Sequence, residues 1–326
     1  MGQVTKSVEF HTVTERECEQ RVDNFLTTYL KGVPKTRLYK MIRKGEVRVN
    51  KGRVKPDYRL AMNDVVRIPP VSVQEKTQYK KPGHWQKTAI EQSVLFEDDA
   101  LLVINKPSGF AVHGGSGLNY GVIEILRELR GEHAFIELVH RLDRDTSGCL
   151  MIAKKRSSLR WLHECLREDR IKKRYHALVD GIWPKRARCV EAPLKKNVLK
   201  SGERIVRVDR EGKPAQTNYR ILATGNRCSL IEAMPITGRT HQIRVHCQFA
   251  GHAIIGDDKY WEADSDLSGM AGPGKQPVRL MLHARQLTIP YPDARQSLEV
   301  VAPYPKDYEN IKGAMLDGQS PELARC

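Results

Sequence analysis

The sequence predicts an α+β protein, with a large domain built on a mixed, mainly antiparallel sheet and a small α/β domain before it. Three observations lead there. Strand-like runs outnumber helical ones beyond residue 93, and they do not alternate strand–helix–strand as a doubly wound parallel sheet requires. Positive charge is concentrated near the start, where 13 Lys and Arg stand against 4 Asp and Glu between Gln20 and Pro70, a net +9 of the chain's +16. A polar stretch without sustained periodicity, residues 71–92, lies between the two. A length of 326 residues suits about two domains. The expected organisation is an arm over 1–19, a small basic domain over 20–70, a linker over 71–92 and a large domain over 93–320.

Each element has a local reason. Val22, Phe25, Leu26, Tyr29 and Leu30 recur at helical spacing and give one apolar face. Gly32 and Pro34 end that helix. In a second helix Leu38, Met41 and Ile42 face inward, which leaves Lys35, Arg37, Lys40, Arg43 and Lys44 for solvent until Gly45 stops it. Residues 47–50 and 65–68 read as short strands. In the large domain, strands are expected at 94–96, 101–104, 149–153, 175–179, 217–222, 228–234 and 297–301. Helices are expected at 122–130, 157–168 and 240–250. No internal repeat and no low-complexity tract interrupts the pattern.

Composition narrows the function. Hydrophobic residues are 40% and charged residues 29%, as in a water-soluble globular protein. No apolar run approaches the roughly 20 residues of a membrane span. The start, Met1 to Lys6, shows no signal-peptide core, and Lys6 breaks a myristoylation pattern. The seven cysteines are scattered and odd in number, with no Cys-x-x-Cys, which argues against a disulfide framework or a zinc knot and fits a reducing cytoplasm. A pI near 9.6 favours a polyanionic partner. The plainer alternative is a solvated basic surface.

The densest chemistry is His140-Arg141-Leu142-Asp143-Arg144-Asp145-Thr146-Ser147-Gly148, directly after a short apolar run. A strand ending in a polar loop is rigid yet reachable. A carboxylate flanked by cations suits a nucleophile or a base. This stretch resembles the signature of the RNA pseudouridine synthases, in the branch that includes the ribosomal large-subunit enzymes. The resemblance puts the catalytic carboxylate on Asp143, not Asp145. The chain is similar to the family at four further segments: Asn105-Lys106-Pro107-Ser108-Gly109, Lys173 to Val179, Thr237 to His246, and Leu282-His283-Ala284. It implies an active-site tyrosine at Tyr175, an arginine paired with Asp143 at Arg244, and Arg141 helping to hold a flipped nucleotide. The basic segment resembles the small RNA-binding domain named after ribosomal protein S four. There Lys35, Arg37, Lys40, Arg43, Lys44 and Arg48 would meet RNA phosphates.

Such an enzyme breaks the bond from ribose to uracil nitrogen, turns the base and joins ribose to a ring carbon. There is no net redox change, so no cofactor is expected. A carboxylate can attack, take a proton or stabilise positive charge at the anomeric carbon, and the sequence leaves these open. Arg244 would aim Asp143 through a charge-assisted hydrogen bond. Tyr175 offers a flat ring for the uracil and a hydroxyl. The target base must leave its helix. The expected partner is 23S ribosomal RNA, met by a monomer in the cytoplasm without membrane contact.

Duller readings stand beside these. Asp143 could cap a turn, Tyr175 could be a core strand tyrosine, and Arg244 and His246 could be surface charges on a helix. His113, His140 and His241 lack metal-ligand spacing and are expected to be hydrogen-bonded structural groups. Gly269 to Lys275 imitates a phosphate loop, but Gln276 stands where Ser or Thr is needed and Pro277 blocks the helix. Gly115 to Tyr120 lacks the third glycine of a dinucleotide loop. The rival functions are a sister synthase acting on other ribosomal or transfer RNA uridines, an RNA-binding protein with a dead second domain, and a nucleoside hydrolase.

Overall fold

The computed structural model describes residues 3–317 except 6, 16, 31, 75–81, 115–119, 132–133, 199–203, 263–277 and 292–296. Residues 115–119, within the segment Gly115 to Tyr120, and residues 263–276, which include Gly269 to Lys275, therefore lie outside the described residues. The chain forms two compact units, Met1–Lys80 and Lys81–Cys326.

In the first unit, helices Val22–Tyr29 and Lys35–Lys44 cover one face of a four-stranded sheet, in the order Glu9–Thr12, Val65–Ile68, Arg48–Val49, Gly52–Arg53. Val22, Phe25, Leu26, Leu38, Met41 and Ile42 pack with Val49, Val66 and Ile68 in a single core. Gly45 ends the second helix at φ 72° and returns its amide to the Ile42 carbonyl at 3.0 Å, a conformation that costs glycine little.

The segments read as an arm and a linker both carry regular structure. Strand Gln3–Thr5 pairs antiparallel with Ser72–Gln74, and Glu9–Thr12 joins the four-stranded sheet, so the arm folds with this unit. Helix His84–Glu91 lies in the segment read as a linker. Ile90 is its one buried side chain, and a single anchor leaves no periodicity to read.

The second unit is built on a ten-stranded sheet. Its main path runs Cys189–Glu191, Gln216–Thr224, Cys228–Pro235, Lys172–Asp180, Leu282–Ile289, Ser147–Ala153, Leu101–Lys106, Val94–Glu97. Leu298–Val301 and Glu137–Leu138 pair beside it. All pairs are antiparallel except Ser147–Ala153 with Leu282–Ile289, so the sheet is mixed and mainly antiparallel, as expected. Strand alternation feeds two cores. Leu102, Ile104, Leu150 and Ile152 meet helix Val122–Arg130 on one face, and Leu101, Val103, Cys149 and Met151 meet helix Arg156–Arg167 on the other. Every residue of Ser147–Ala153 is buried, which is why this strand reads as a continuous apolar run rather than an alternating one. Helices Gln242–Phe249 and Lys306–Leu316 cover the other half of the sheet. Among the described residues no helix is long and apolar enough to cross a membrane.

Candidate active site

The loop 140–146 runs into the central strand Ser147–Ala153, and several buried groups fix its path. Thr146 donates its amide to the Asp143 carbonyl at 3.2 Å and closes a turn. Gly148 follows at φ +110°, where an added Cβ would lie 2.3 Å from the Ala284 carbonyl oxygen, so only glycine admits this approach of the two parallel strands. Lys106 is fully buried, and its Nζ donates to the carbonyls of Pro107, Phe110 and Arg144 at 2.8–2.9 Å. Burial pushes this amine down to about 7, while three carbonyl acceptors match the three protons of an ammonium. Ser108 Oγ donates to the Asp145 carbonyl at 2.7 Å, and the Gly109 amide to that of Arg144 at 3.0 Å. The Asn105-Lys106-Pro107-Ser108-Gly109 segment is thus a brace under the Asp143 loop.

Ser147 is held from the opposite side. Its hydroxyl lies 2.8 Å from His283 Nδ1 and accepts from Arg279 Nη2 at 2.7 Å. His283 Nε2 faces the Ala302 carbonyl at 3.2 Å, so Nε2 carries the proton and Nδ1 accepts from Ser147. Burial pushes His283 down to about 3 and keeps it neutral. His140, pushed down to about 4 by burial, accepts the Met151 amide at 3.1 Å.

Asp143 itself is partly open, with 29% of its side chain exposed. Its Oδ2 lies 3.4 Å from Arg244 Nη1 and 3.9 Å from His241 Nε2. A charge-assisted pair normally closes to about 2.7–2.9 Å. The expected Arg244–Asp143 pair is therefore the weaker half of the arrangement. Arg244 makes its two short bonds with Asp257, Nε to Oδ2 and Nη2 to Oδ1, both 2.7 Å, in fork geometry. A third goes to Asp258 at 3.1 Å. Burial works against the Arg244 charge, but the hydrogen bonds and charge of Asp257 outweigh it and raise its pKa. Asp257 anchors the guanidinium and leaves Nη1 directed at Asp143. The ring of Tyr260 lies under the same guanidinium at 5.1 Å, and its hydroxyl meets His241 Nδ1 at 2.9 Å.

The helix start that delivers Arg244 is locked in the same way. Gln242 accepts from Thr237 Oγ1 at 2.6 Å and from the Arg239 amide at 3.0 Å, and donates to the Gln216 carbonyl and Thr217 Oγ1, both at 2.9 Å. His246 sits between Thr217 Oγ1 and the Ala192 carbonyl at 3.0 Å. Gln242, Arg244 and His246 are all buried, so the reading of Arg244 and His246 as surface charges is excluded.

Two open cavities meet at Asp143. One of about 640 Å³ is lined by Tyr175, Leu142, Thr146, Ile236 and Leu282; one of about 420 Å³ is lined by His113, Arg144, Asp145 and Asp258. Arg141, Leu142, Asp143, His241 and Arg244 border both. Tyr175 lies on Lys172–Asp180, opposite Ala233 and Ala284, and burial raises its hydroxyl well above the ordinary range. Arg141 is exposed and has no ion pair among the described residues. The fold therefore brings Arg141, Asp143, Tyr175 and Arg244 together. Lys35, Arg37, Lys40, Arg43, Lys44 and Arg48 are all exposed on the first unit. Among the described residues no three His, Cys, Asp or Glu side chains gather as a metal site.

Asp257, Arg279 and His283 were not assigned roles by sequence reasoning. Asp257 and Arg279 carry no recognisable spacing to Asp143; His283 lay in a recognised segment, but its partner Ser147 is 136 residues away.

Residues 100–249 match the family described as RNA pseudouridylate synthase, and residues 20–66 match the S4 domain. The chain is 51% identical over 318 residues to ribosomal large subunit pseudouridine synthase C of Pasteurella multocida (strain Pm70), covering 97% of each protein. It is 54% identical over 301 residues to the protein of the same name in Escherichia coli (strain K12), covering 92% of this chain and 94% of that one. Among solved structures it resembles human RNA pseudouridylate synthase domain containing 4, with a TM-score of 0.57 and 27% identity over 69% of this chain and 93% of that one.

Proposed function

This chain belongs to the RNA pseudouridylate synthase family and is an isomerase, and on that premise we propose that it converts uridines of 23S ribosomal RNA to pseudouridine with Asp143 as the catalytic residue. The observation that carries the assignment is the position of Asp143, partly open at the meeting of two cavities and faced by an anchored arginine. The relatives named as ribosomal large subunit synthases, alike over nearly the whole chain, support the choice of substrate.

In this reading an unstacked uridine enters beside the loop 140–146. Tyr175 supplies a flat wall for the uracil, and its hydroxyl keeps its proton at neutral pH. Asp143 acts on the linkage between ribose and base. Arg244 aims the carboxylate. Arg141, exposed at the rim, helps hold the flipped state. Lys35, Arg37, Lys40, Arg43, Lys44 and Arg48 contact phosphates of the same RNA. The bond broken and the bond formed involve the same two fragments, so no external reductant or oxidant enters the balance. The work takes place in the cytoplasm, where ribosomal RNA is met.

Incubation with 23S ribosomal RNA followed by nucleotide-resolution pseudouridine mapping tests this. Asp143→Asn is expected to abolish conversion while RNA affinity stays close to wild type. Normal turnover in that variant would overturn the assignment to Asp143. Release of free uracil by the wild-type protein would instead indicate a hydrolase.

A further inference from the structure

The outer face of the first unit's sheet carries a row of side chains that lie far apart in sequence. Cross-strand pairing sets Phe10 opposite Arg67, Arg67 opposite Arg48, and Arg48 opposite Arg53, so one row crosses all four strands. Val49, Val66 and Ile68 alternate with it and point into the core. Phe10 is 68% exposed, more than any other large apolar side chain among the described residues. A ring left in water contributes little to folding.

The three arginines gather at the turn that ends helix Lys35–Lys44. Arg48 Nε donates to the Gly45 carbonyl at 3.2 Å, and Arg67 Nη1 to that of Glu46 at 2.6 Å. Arg53 Nε lies 2.6 Å from where a Cβ on Gly45 would stand. Each guanidinium has five donors, and these contacts use only a fraction of them. Among the described residues none of the three forms an ion pair with a carboxylate. Uncompensated guanidiniums beside a bare aromatic face suit single-stranded nucleic acid, which needs cations for its phosphates and flat surfaces for its bases.

We propose that this row extends the RNA surface from the helix across the sheet face: Phe10 stacks on an unpaired base, and Arg53 and Arg67 join Arg48 in holding neighbouring phosphates. The proposal rests on the reading of this unit as RNA-binding. Charge complementarity selects the occupant.

The test is equilibrium binding of the full chain to a 23S ribosomal RNA transcript over a salt series. Phe10→Ala is expected to weaken binding about 5- to 150-fold, the equivalent of about 1–3 kcal/mol for one base stacked on an aromatic ring. Phe10→Trp should restore it, because stacking follows the ring. Arg53→Gln should lower the slope of log K against log salt by about 0.7. Arg37→Gln and Lys40→Gln serve as the reference pair on the helix. If these two weaken binding while Phe10→Ala and Arg53→Gln change nothing, the sheet-face site is refuted and the helix reading survives. If none of the four matters, the RNA-binding reading of the unit fails as well. Self-association that Phe10→Ala abolishes, with RNA affinity unmoved, would assign the face to a second copy and overturn the proposal.

Discussion

Asp257→Asn is the substitution that most directly probes how Arg244 is positioned. The Asp257 side chain has no exposed surface and that of Arg244 is 5% exposed, so the pair is dry. The two 2.7 Å bonds between them fix the guanidinium in both tilt and direction. Asparagine keeps the volume and one acceptor but removes the charge. Removing one partner of a buried pair costs about 3–5 kcal/mol of stability; because Asp258 still compensates part of the charge, the lower end is expected. The freed guanidinium then loses its aim at Asp143. A misplacement of about 1 Å at a reacting group costs about 100-fold in rate, so kcat should fall by about that factor. KM for RNA should move little, because the substrate-binding residues proposed on the first unit are untouched. The assay is single-turnover pseudouridine formation at saturating enzyme, at a temperature where urea unfolding shows the variant folded. Asp258→Asn is the control: its partner distance is 3.1 Å and its side chain is 64% exposed, so it should lose little. A folded Asp257→Asn protein with wild-type kcat would refute the anchoring argument.

Further outcomes follow from the same structure. Gly148→Ala should destabilise the second unit by at least about 2 kcal/mol, because the new Cβ meets the Ala284 backbone and the residue must hold a positive φ; thermal unfolding reads it, and an unchanged midpoint would contradict the close strand approach. Stability should also fall in acid. His140 and His283 titrate at about 4 and about 3 when folded, below the roughly 6.5 of an unfolded histidine. Above about pH 6.5 both states are neutral and this contribution is whole; below it the unfolded chain takes up protons that the folded chain refuses, so stability falls as pH drops towards 4. Each histidine adds a slope of up to about 1.4 kcal/mol per pH unit. Urea titrations at about pH 7.5, 6 and 5 should show the decline, and a level profile would mean that these imidazoles are not held neutral.

Much of the architecture was legible because its causes are local. Helix Lys35–Lys44 declares itself by Leu38, Met41 and Ile42 at helical spacing and by Gly45 at its end. Helix Val122–Arg130 keeps the bounds its periodicity predicts. The concentration of charge before residue 70 marks the basic unit without reference to any contact. Helix His84–Glu91, with one buried anchor, and hairpin Leu194–Val198 with Arg204–Val208 give no such signal and were missed.

The amino-acid order, through the motifs that resemble the synthase family, singled out Arg141, Asp143, Tyr175 and Arg244 as candidates before any fold is known. Only the tertiary structure decided how they are held. The Asp257 anchor, the Lys106 brace beneath the Asp143 loop, and the Ser147–His283 contact join residues 13, 38 and 136 positions apart. Hydrogen bonds of this kind act over about 3 Å in space, and a linear sequence records no such distances.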